Sequence, residues 1–154
     1  MSIFRAYDIR GVADKEITSE FIERFSKILV VKLNPKNIVV GYDSRLTSVK
    51  YKNAFIRGVT SSGFNIVDIG LVSRPMLNWV AFSQKFELGI MITASHNPKE
   101  YNGIKVLYQG RPYAYNEGLK NIEKIMNNTT SPGHSMTRKI GKNLRIPAGV
   151  LIGG

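Results

Sequence analysis

The chain has 154 residues, enough for one domain with a real core, and 43% of them are hydrophobic, an ordinary share for a globular protein. Lys and Arg number 22 against 11 Asp and Glu, a formal charge of +11 that favours anionic partners such as phosphorylated metabolites, nucleic acid or an acidic protein surface. There is no cysteine and histidine occurs only at His96 and His134, which excludes disulfides, thiolate metal sites and histidine-rich zinc sites. No apolar run approaches the roughly 20 residues that span a bilayer, so no membrane association is expected. Arg5, Asp8 and Arg10 interrupt any basic-then-apolar leader pattern, and a cytoplasmic location is the expectation.

Along the chain, strand and helix signals alternate, which predicts an α/β domain of three layers. A mixed, mostly parallel sheet with one antiparallel strand is expected between the helices. Phe4–Tyr7 reads as a short strand or an extended entry. Thr18 or Ser19 caps a helix to about Val31, with Phe21, Ile22, Phe25, Ile28 and Leu29 on one face. Asn34-Pro35 breaks it, and Asn37–Gly41 follows as a buried strand. Asp43 or Ser44 opens a second helix to about Ser61, with Leu46, Val49, Ile56 and Val59 expected inward and Gly63 at its end. Asn65–Ile69 is the next strand, closed by Gly70. Pro75 opens a third helix with Leu77, Val80 and Ala81 as core contacts.

The apolar run Leu88–Ile92 reads as a buried strand, and Thr93-Ala94-Ser95-His96-Asn97-Pro98 follows it directly. Proline is favoured at the first helical position, so a helix is expected to begin here. Its unpaired N–H groups would then face Ser95 and favour negative charge, such as a phosphate carried by that serine. The competing reading makes Ser95 a plain N-cap. No G-x-S-x-G elbow surrounds it, which argues against a hydrolase nucleophile. Gly103–Tyr108 reads as a strand joined to its predecessor by too short a link for a parallel crossover, hence antiparallel. Tyr115–Asn127 reads as a last helix and Asn127–Gly133 as a loop. Arg145–Gly154 reads as a last strand, an edge segment or the start of a linker. Ser131–Gly154 contains no Asp or Glu, and carries Arg138, Lys139, Lys142 and Arg145.

Four segments taken together carry a specific signature: Phe4-Arg5-Ala6-Tyr7-Asp8-Ile9-Arg10-Gly11, Val39 to Arg45, Asp68-Ile69-Gly70-Leu71, and Gly89 through Lys105. In this order they resemble the first domain of the α-D-phosphohexomutase superfamily, in its phosphoglucomutase/phosphomannomutase branch. The resemblance implies that Ser95 carries a phosphoryl group and exchanges it with a hexose phosphate through a bound bisphosphate, interconverting 1-phosphate and 6-phosphate. It implies that Arg10 and Lys105 surround the phosphoserine, with His96 as a supporting group and Tyr7 at the entrance. Cations are required there because a phosphoserine carries about −1.5 to −2 charge. Lys105 is further implied to assist proton transfer with the sugar hydroxyl. Asp43 and Arg45 are assigned mainly to structure.

The resemblance also implies Mg²⁺, held by the phosphate on Ser95 and by three aspartates of a metal loop that has no counterpart in this sequence. A hexose 1,6-bisphosphate is the implied activator and a phosphosugar the substrate. Residues 1–132 are expected to be domain I, and 133–154 a basic segment leading toward a second domain. Domains II–IV, or a partner chain supplying them, are expected to be needed for full activity. Ser73-Arg74 stands where the family more usually has proline-threonine. The alternative, from a different functional class, is a non-catalytic basic module binding nucleic acid or a partner chain, with Tyr101, Tyr108, Tyr113 and Tyr115 as stacking platforms. No helix-turn-helix, zinc-finger or RNA-stacking motif supports it, so nucleic acid is not the expected partner.

Overall fold

A computed structural model describes residues 2–128 and 140–147. One mixed sheet of seven strands forms the middle layer. Its strands are β1 (Ile9–Val12), β2 (Ile38–Tyr42), β3 (Ile66–Leu71), β4 (Leu88–Ile92), β5 (Tyr101–Tyr108), β6 (Arg111–Pro112) and β7 (Asn143–Arg145). Their order across the sheet is β1-β5-β4-β2-β3-β7, and β6 pairs with β5 beyond the end of β1. The β2–β3, β2–β4 and β3–β7 pairs are parallel, whereas β5 runs antiparallel to β4, β1 and β6. Every strand but β5 therefore points the same way, as the short link between Ile92 and Tyr101 requires.

The helices are α1 (Ser19–Leu33), α2 (Ser48–Ser61), α3 (Arg74–Ser83) and α4 (Leu119–Asn128), with a 3₁₀ turn at Tyr115–Glu117. Strand alternation sorts the core into two layers. Ile38, Val40, Leu88, Ile90, Ile92, Ile104 and Val106 face Phe25, Leu29, Tyr51, Phe55 and Ile122 of α1, α2 and α4. Val39, Ile69 and Met91 face Leu77, Val80 and Ala81 of α3. Each layer removes continuous apolar surface from water, which is the main force holding the sandwich together. Helices α1 and α2 meet at Gly58, where a Cβ would collide with Ser26 Oγ and the Glu23 carbonyl.

Local signals explain most boundaries. Thr18 caps α1, its hydroxyl accepting from Phe21 N at 3.1 Å, and Asn34 ends the helix in the left-handed region at φ 47°. Ser73 caps α3 and Pro75 lies in its first turn, so the Ser73-Arg74 departure leaves a regular helix start. Tyr51 Oη donates to the Ile17 carbonyl at 2.7 Å and accepts from Asp14 N at 2.9 Å, pinning the entry of α1 to α2. Burial, with Asp14 nearby, pushes the Tyr51 phenol up to about 12. The folded state thus holds its proton where the unfolded chain, near 10, has lost it. Stability is therefore expected to fall as pH rises from about 10 to about 12, and Tyr51→Phe should remove that share of the alkaline loss. Urea unfolding of both proteins across that range checks it, and equal slopes would contradict it.

Four expectations are corrected. Phe4–Tyr7 is not a strand: Phe4 bridges Ile9 across a tight bend, and the strand lies further on, at Ile9–Val12. Helix α2 begins at Ser48, four or five residues late, leaving Leu46 fully exposed and Val49 half exposed instead of in the core. The reason is that Asp43 and Arg45 are drawn into contacts with the loop after β4. Gly70 lies within β3 at φ 81°, a position open to glycine at little cost, and does not close the strand. The expected last helix is divided, its first turn 3₁₀ and its α-helical part starting at Leu119. In the segment 145–154, Arg145 ends the short edge strand β7, while the boundary expected at 132/133 lies outside the described residues. No helix among the described residues is long and apolar enough to cross a membrane.

Candidate phosphoryl-transfer site

From β2 the chain crosses through α2 to β3 on one side, then through α3 on the opposite face to β4 on the other side. The C-terminal ends of β2 and β4 therefore flank a topological switch point, the crevice where open α/β sheets place their ligands. The two loops that leave these ends are tied together. Asp43 N donates to the Ile92 carbonyl at 3.1 Å and Thr93 Oγ1 donates to Asp43 Oδ2 at 2.7 Å. Asp43 Oδ1 also accepts from Ser48 Oγ at 2.6 Å and from Arg45 N at 3.1 Å.

Arg45 organises the second loop. Its Nη1 donates to the carbonyls of Pro98 (2.7 Å) and Tyr101 (3.0 Å), and its Nη2 to those of Ser95 (2.8 Å) and Asn97 (2.7 Å). Nε faces Asp43 Oδ2 at 3.3 Å. A planar guanidinium with five fixed donors can hold several carbonyls in one geometry, which a lysine cannot. The loop wraps round this fork, and the expected helix after Ser95 does not form. Only Pro98, Lys99 and Glu100 separate Asn97 from β5, and the carbonyls a helix would use are held by Arg45.

Ser95 lies at the apex of this turn, exposed, with φ 56°. A left-handed serine is uncommon and strained, and such positions persist only where their surroundings enforce them. Here the Thr93 hydroxyl accepts from Ser95 N at 2.9 Å and Arg45 grips its carbonyl. No hydrogen bond engages Ser95 Oγ among the described residues, so the hydroxyl is not spent as a helix cap. His96 is exposed beside it.

Strand register brings the predicted cations to the same end of the sheet. Thr93 N donates to the Gly103 carbonyl at 3.0 Å, and Gly103 pairs with Arg10 across the β1–β5 ladder. Gly103 allows that approach, since a Cβ there would collide with the Ile9 carbonyl. Lys105 pairs with Met91, so Arg10 and Lys105 project from the α3 face of the sheet. Asp8 joins them: Lys105 Nζ donates to Oδ2 at 2.8 Å, and Arg10 Nε lies 3.5 Å from Oδ1. Tyr7, at the tip of the Phe4–Ile9 bend and two-thirds exposed, lines a hollow with Lys105, Arg74 and Asn78. Of the residues named from sequence, Ser95 and His96 thus share the loop and Arg10, Lys105 and Tyr7 the adjoining strand face. Sequence reasoning missed Asp8 and the reach of Arg45. The alternation Asp8-x-Arg10 was the available signal for the first.

The aspartates do not fit a Mg²⁺ site of their own. Asp8 faces Lys105 and Arg10, Asp14 faces Lys50, Asp43 faces Arg45 and Asp68 faces Lys52. Among the described residues no three His, Asp or Glu side chains are grouped to hold a metal, and a hard divalent cation needs several oxygen ligands at once. Of the tyrosines proposed as stacking platforms, Tyr113 is buried edge-on against Tyr108, and Tyr115 Oη donates to Glu123.

Residues 1–133 match the family described as "Phosphoglucomutase/phosphomannomutase, alpha/beta/alpha domain I". The chain is 34% identical over 140 residues to a phosphomannomutase of Escherichia coli K12, covering 90% of this chain and 31% of that protein. It is 39% identical over 127 residues to a phosphoglucomutase of Neisseria meningitidis serogroup B, covering 80% and 27%. The chain spans about a third of the length of these relatives. A solved structure of a phosphoglucomutase/phosphomannomutase family protein from Burkholderia thailandensis shares the fold, with TM-score 0.77 at 24% identity, over 97% of this chain and 34% of that one.

Proposed function

Because the chain belongs to the phosphoglucomutase/phosphomannomutase family, as its alpha/beta/alpha domain I, we propose that it is the phosphoserine-bearing domain of an enzyme that interconverts hexose 1-phosphate and 6-phosphate. The observation that carries this reading is the unengaged, exposed hydroxyl of Ser95 on a strained turn at the switch point, beside a strand face bearing Arg10 and Lys105. Phosphoserine donates its phosphoryl group to a sugar hydroxyl, giving a bisphosphate and a free serine. In the return step Ser95 Oγ forms a bond to the other phosphorus, that phosphorus–oxygen bond to the sugar breaks, and the serine proton passes to the released sugar oxygen. The chain's contribution is to hold Oγ in place and to offset the charge of the transferring group, the two largest levers in phosphoryl transfer. Lys105 is the group proposed to relay the proton, His96 supports the turn, and Tyr7 lines the entry. Domains II–IV, or a chain supplying them, complete the proposed enzyme, with Mg²⁺ as its metal and a hexose 1,6-bisphosphate as activator.

An NMR titration of the 154-residue chain with glucose 1-phosphate or mannose 1-phosphate tests the binding part. Shifts centred on Arg10, Lys105, Tyr7 and His96 are expected. A parallel titration with generic single- and double-stranded oligonucleotides over a salt series tests the basic-module alternative, whose affinity would fall steeply with salt. Oligonucleotide binding at low salt with no response to sugar phosphate would overturn the proposal.

A further inference from the structure

We infer that Asp8 is the positioning residue of this site, the carboxylate that fixes where Lys105 and Arg10 stand relative to a phosphate on Ser95. The inference rests on the phosphoserine reading above and adds a residue to it. Asp8 is 5% exposed and lies between the two cations, 2.8 Å from Lys105 Nζ and 3.5 Å from Arg10 Nε. Both partners keep an outlet to solvent, their side chains 16% and 32% exposed. The three groups come from one bend and two adjacent strands, and the carboxylate links β1's cation to that of β5.

Comparison with the other paired aspartates separates this role from plain fold support. Asp43 Oδ1 accepts from Ser48 Oγ and Arg45 N, and Asp68 Oδ1 accepts from Gly70 N while its Oδ2 meets Lys52. Each oxygen of both those carboxylates accepts at least one hydrogen bond. Asp8 Oδ1 is buried and makes no hydrogen bond, only the long ion pair to Arg10. A buried acceptor left in that state is costly unless the site gains something by it. Charge supplies the gain. One carboxylate against two cations leaves a net positive charge of one, ready for an anion of about −1.5 to −2. The carboxylate also anchors the flexible lysine stem, which otherwise carries a large rotamer entropy.

This arrangement predicts that binding and transfer separate. Removing the negative charge leaves two unopposed cations, so sugar phosphate binds more tightly, while the cations lose their aim, so transfer slows. Asp8→Asn and Asp8→Glu should be compared with the wild-type chain in three measurements: glucose 1-phosphate affinity, the ¹⁵N resonance of the Lys105 ammonium group, and the rate of Ser95 phosphorylation by glucose 1,6-bisphosphate. For Asp8→Asn we expect about fivefold tighter binding, the equivalent of roughly one exposed charge interaction. Its Lys105 ammonium resonance should be lost to solvent exchange, and transfer should slow about tenfold or more. Asp8→Glu should retain the ammonium resonance and wild-type affinity but slow transfer, because its carboxylate is displaced. If Asp8→Asn does not fold, Asp8→Glu decides alone: wild-type transfer by it overturns the inference. Unchanged affinity and an unchanged Lys105 resonance in Asp8→Asn likewise overturn it. If the chain accepts no phosphoryl group even when a chain supplying domains II–IV is present, the phosphoserine reading fails, and the role of Asp8 is still decided by the affinity and resonance measurements.

Discussion

Replacing Lys52 by methionine is expected to destabilise the fold by about 3–5 kcal/mol, the cost of removing one partner from a buried ion pair. Lys52 and Asp68 are each 5% exposed, and Lys52 Nζ donates to Asp68 Oδ2 at 2.8 Å, with the Tyr42 ring 5.3 Å from the ammonium. They join α2 to β3 on the α1/α2 side of the sheet. The pair sits where the β2–β3 register shifts between Val40 and Tyr42, and Asp68 Oδ1 holds the Gly70 amide beside the shift. With Lys52 gone, the buried Asp68 carboxylate loses the ammonium it is paired with. Adding Asp68→Asn to Lys52→Met removes that charge and keeps the Gly70 bond, so the double variant should recover most of the loss. Urea unfolding of the two single variants and the double variant measures this as a cycle. For a chain of this size the loss in Lys52→Met corresponds to a melting temperature lower by about 10 °C. A change under about 1 kcal/mol in Lys52→Met would show that the pair is not holding this region together.

Arg45→Ala is expected to act on function more than on stability. The guanidinium holds four carbonyls of the Ser95 loop, and two of those residues, Ser95 and Pro98, are exposed. Once released, carbonyls at this surface can turn to water, so the stability cost should stay at about 1–3 kcal/mol. The left-handed conformation of Ser95 has no such substitute. Without Arg45 the turn relaxes and Oγ leaves its place at the strand ends. A displacement of about 1 Å can lower a transfer rate about 100-fold, and we expect a loss of that order in phosphorylation of Ser95. Arg45→Lys keeps the charge but not the fork, and should fall nearly as far. Wild-type phosphorylation in Arg45→Lys would show that charge alone suffices and that the fork is not the organiser.

The layers of the fold were legible in the sequence because they follow from local rules. Apolar runs marked β2, β3 and β4, helical spacing marked α1 and α3, and the short stretch between Ile92 and Tyr101 left β5 no direction but antiparallel. What was not legible depends on partners distant in the chain. Leu46 has the spacing of a core residue, but Asp43 is engaged by Thr93, 50 positions on, and α2 starts only after that contact is made. Pro98 has the look of a helix start, but Arg45, from 53 positions earlier, takes its carbonyl. Asp8 passed unnoticed because its meaning lies in Lys105, 97 positions away. The four matching segments pointed to Ser95, Arg10 and Lys105 together, and the ladder from β4 through β5 to β1 supplies the physical reason they could be read as one set.

Intact mass spectrometry of the chain after incubation with glucose 1,6-bisphosphate and Mg²⁺, with peptide mapping of the modified residue, tests the central claim most directly. The account predicts the gain of one phosphoryl group, located on Ser95 and absent from Ser95→Ala. Phosphate found on another residue, or an equal gain in Ser95→Ala, would contradict it.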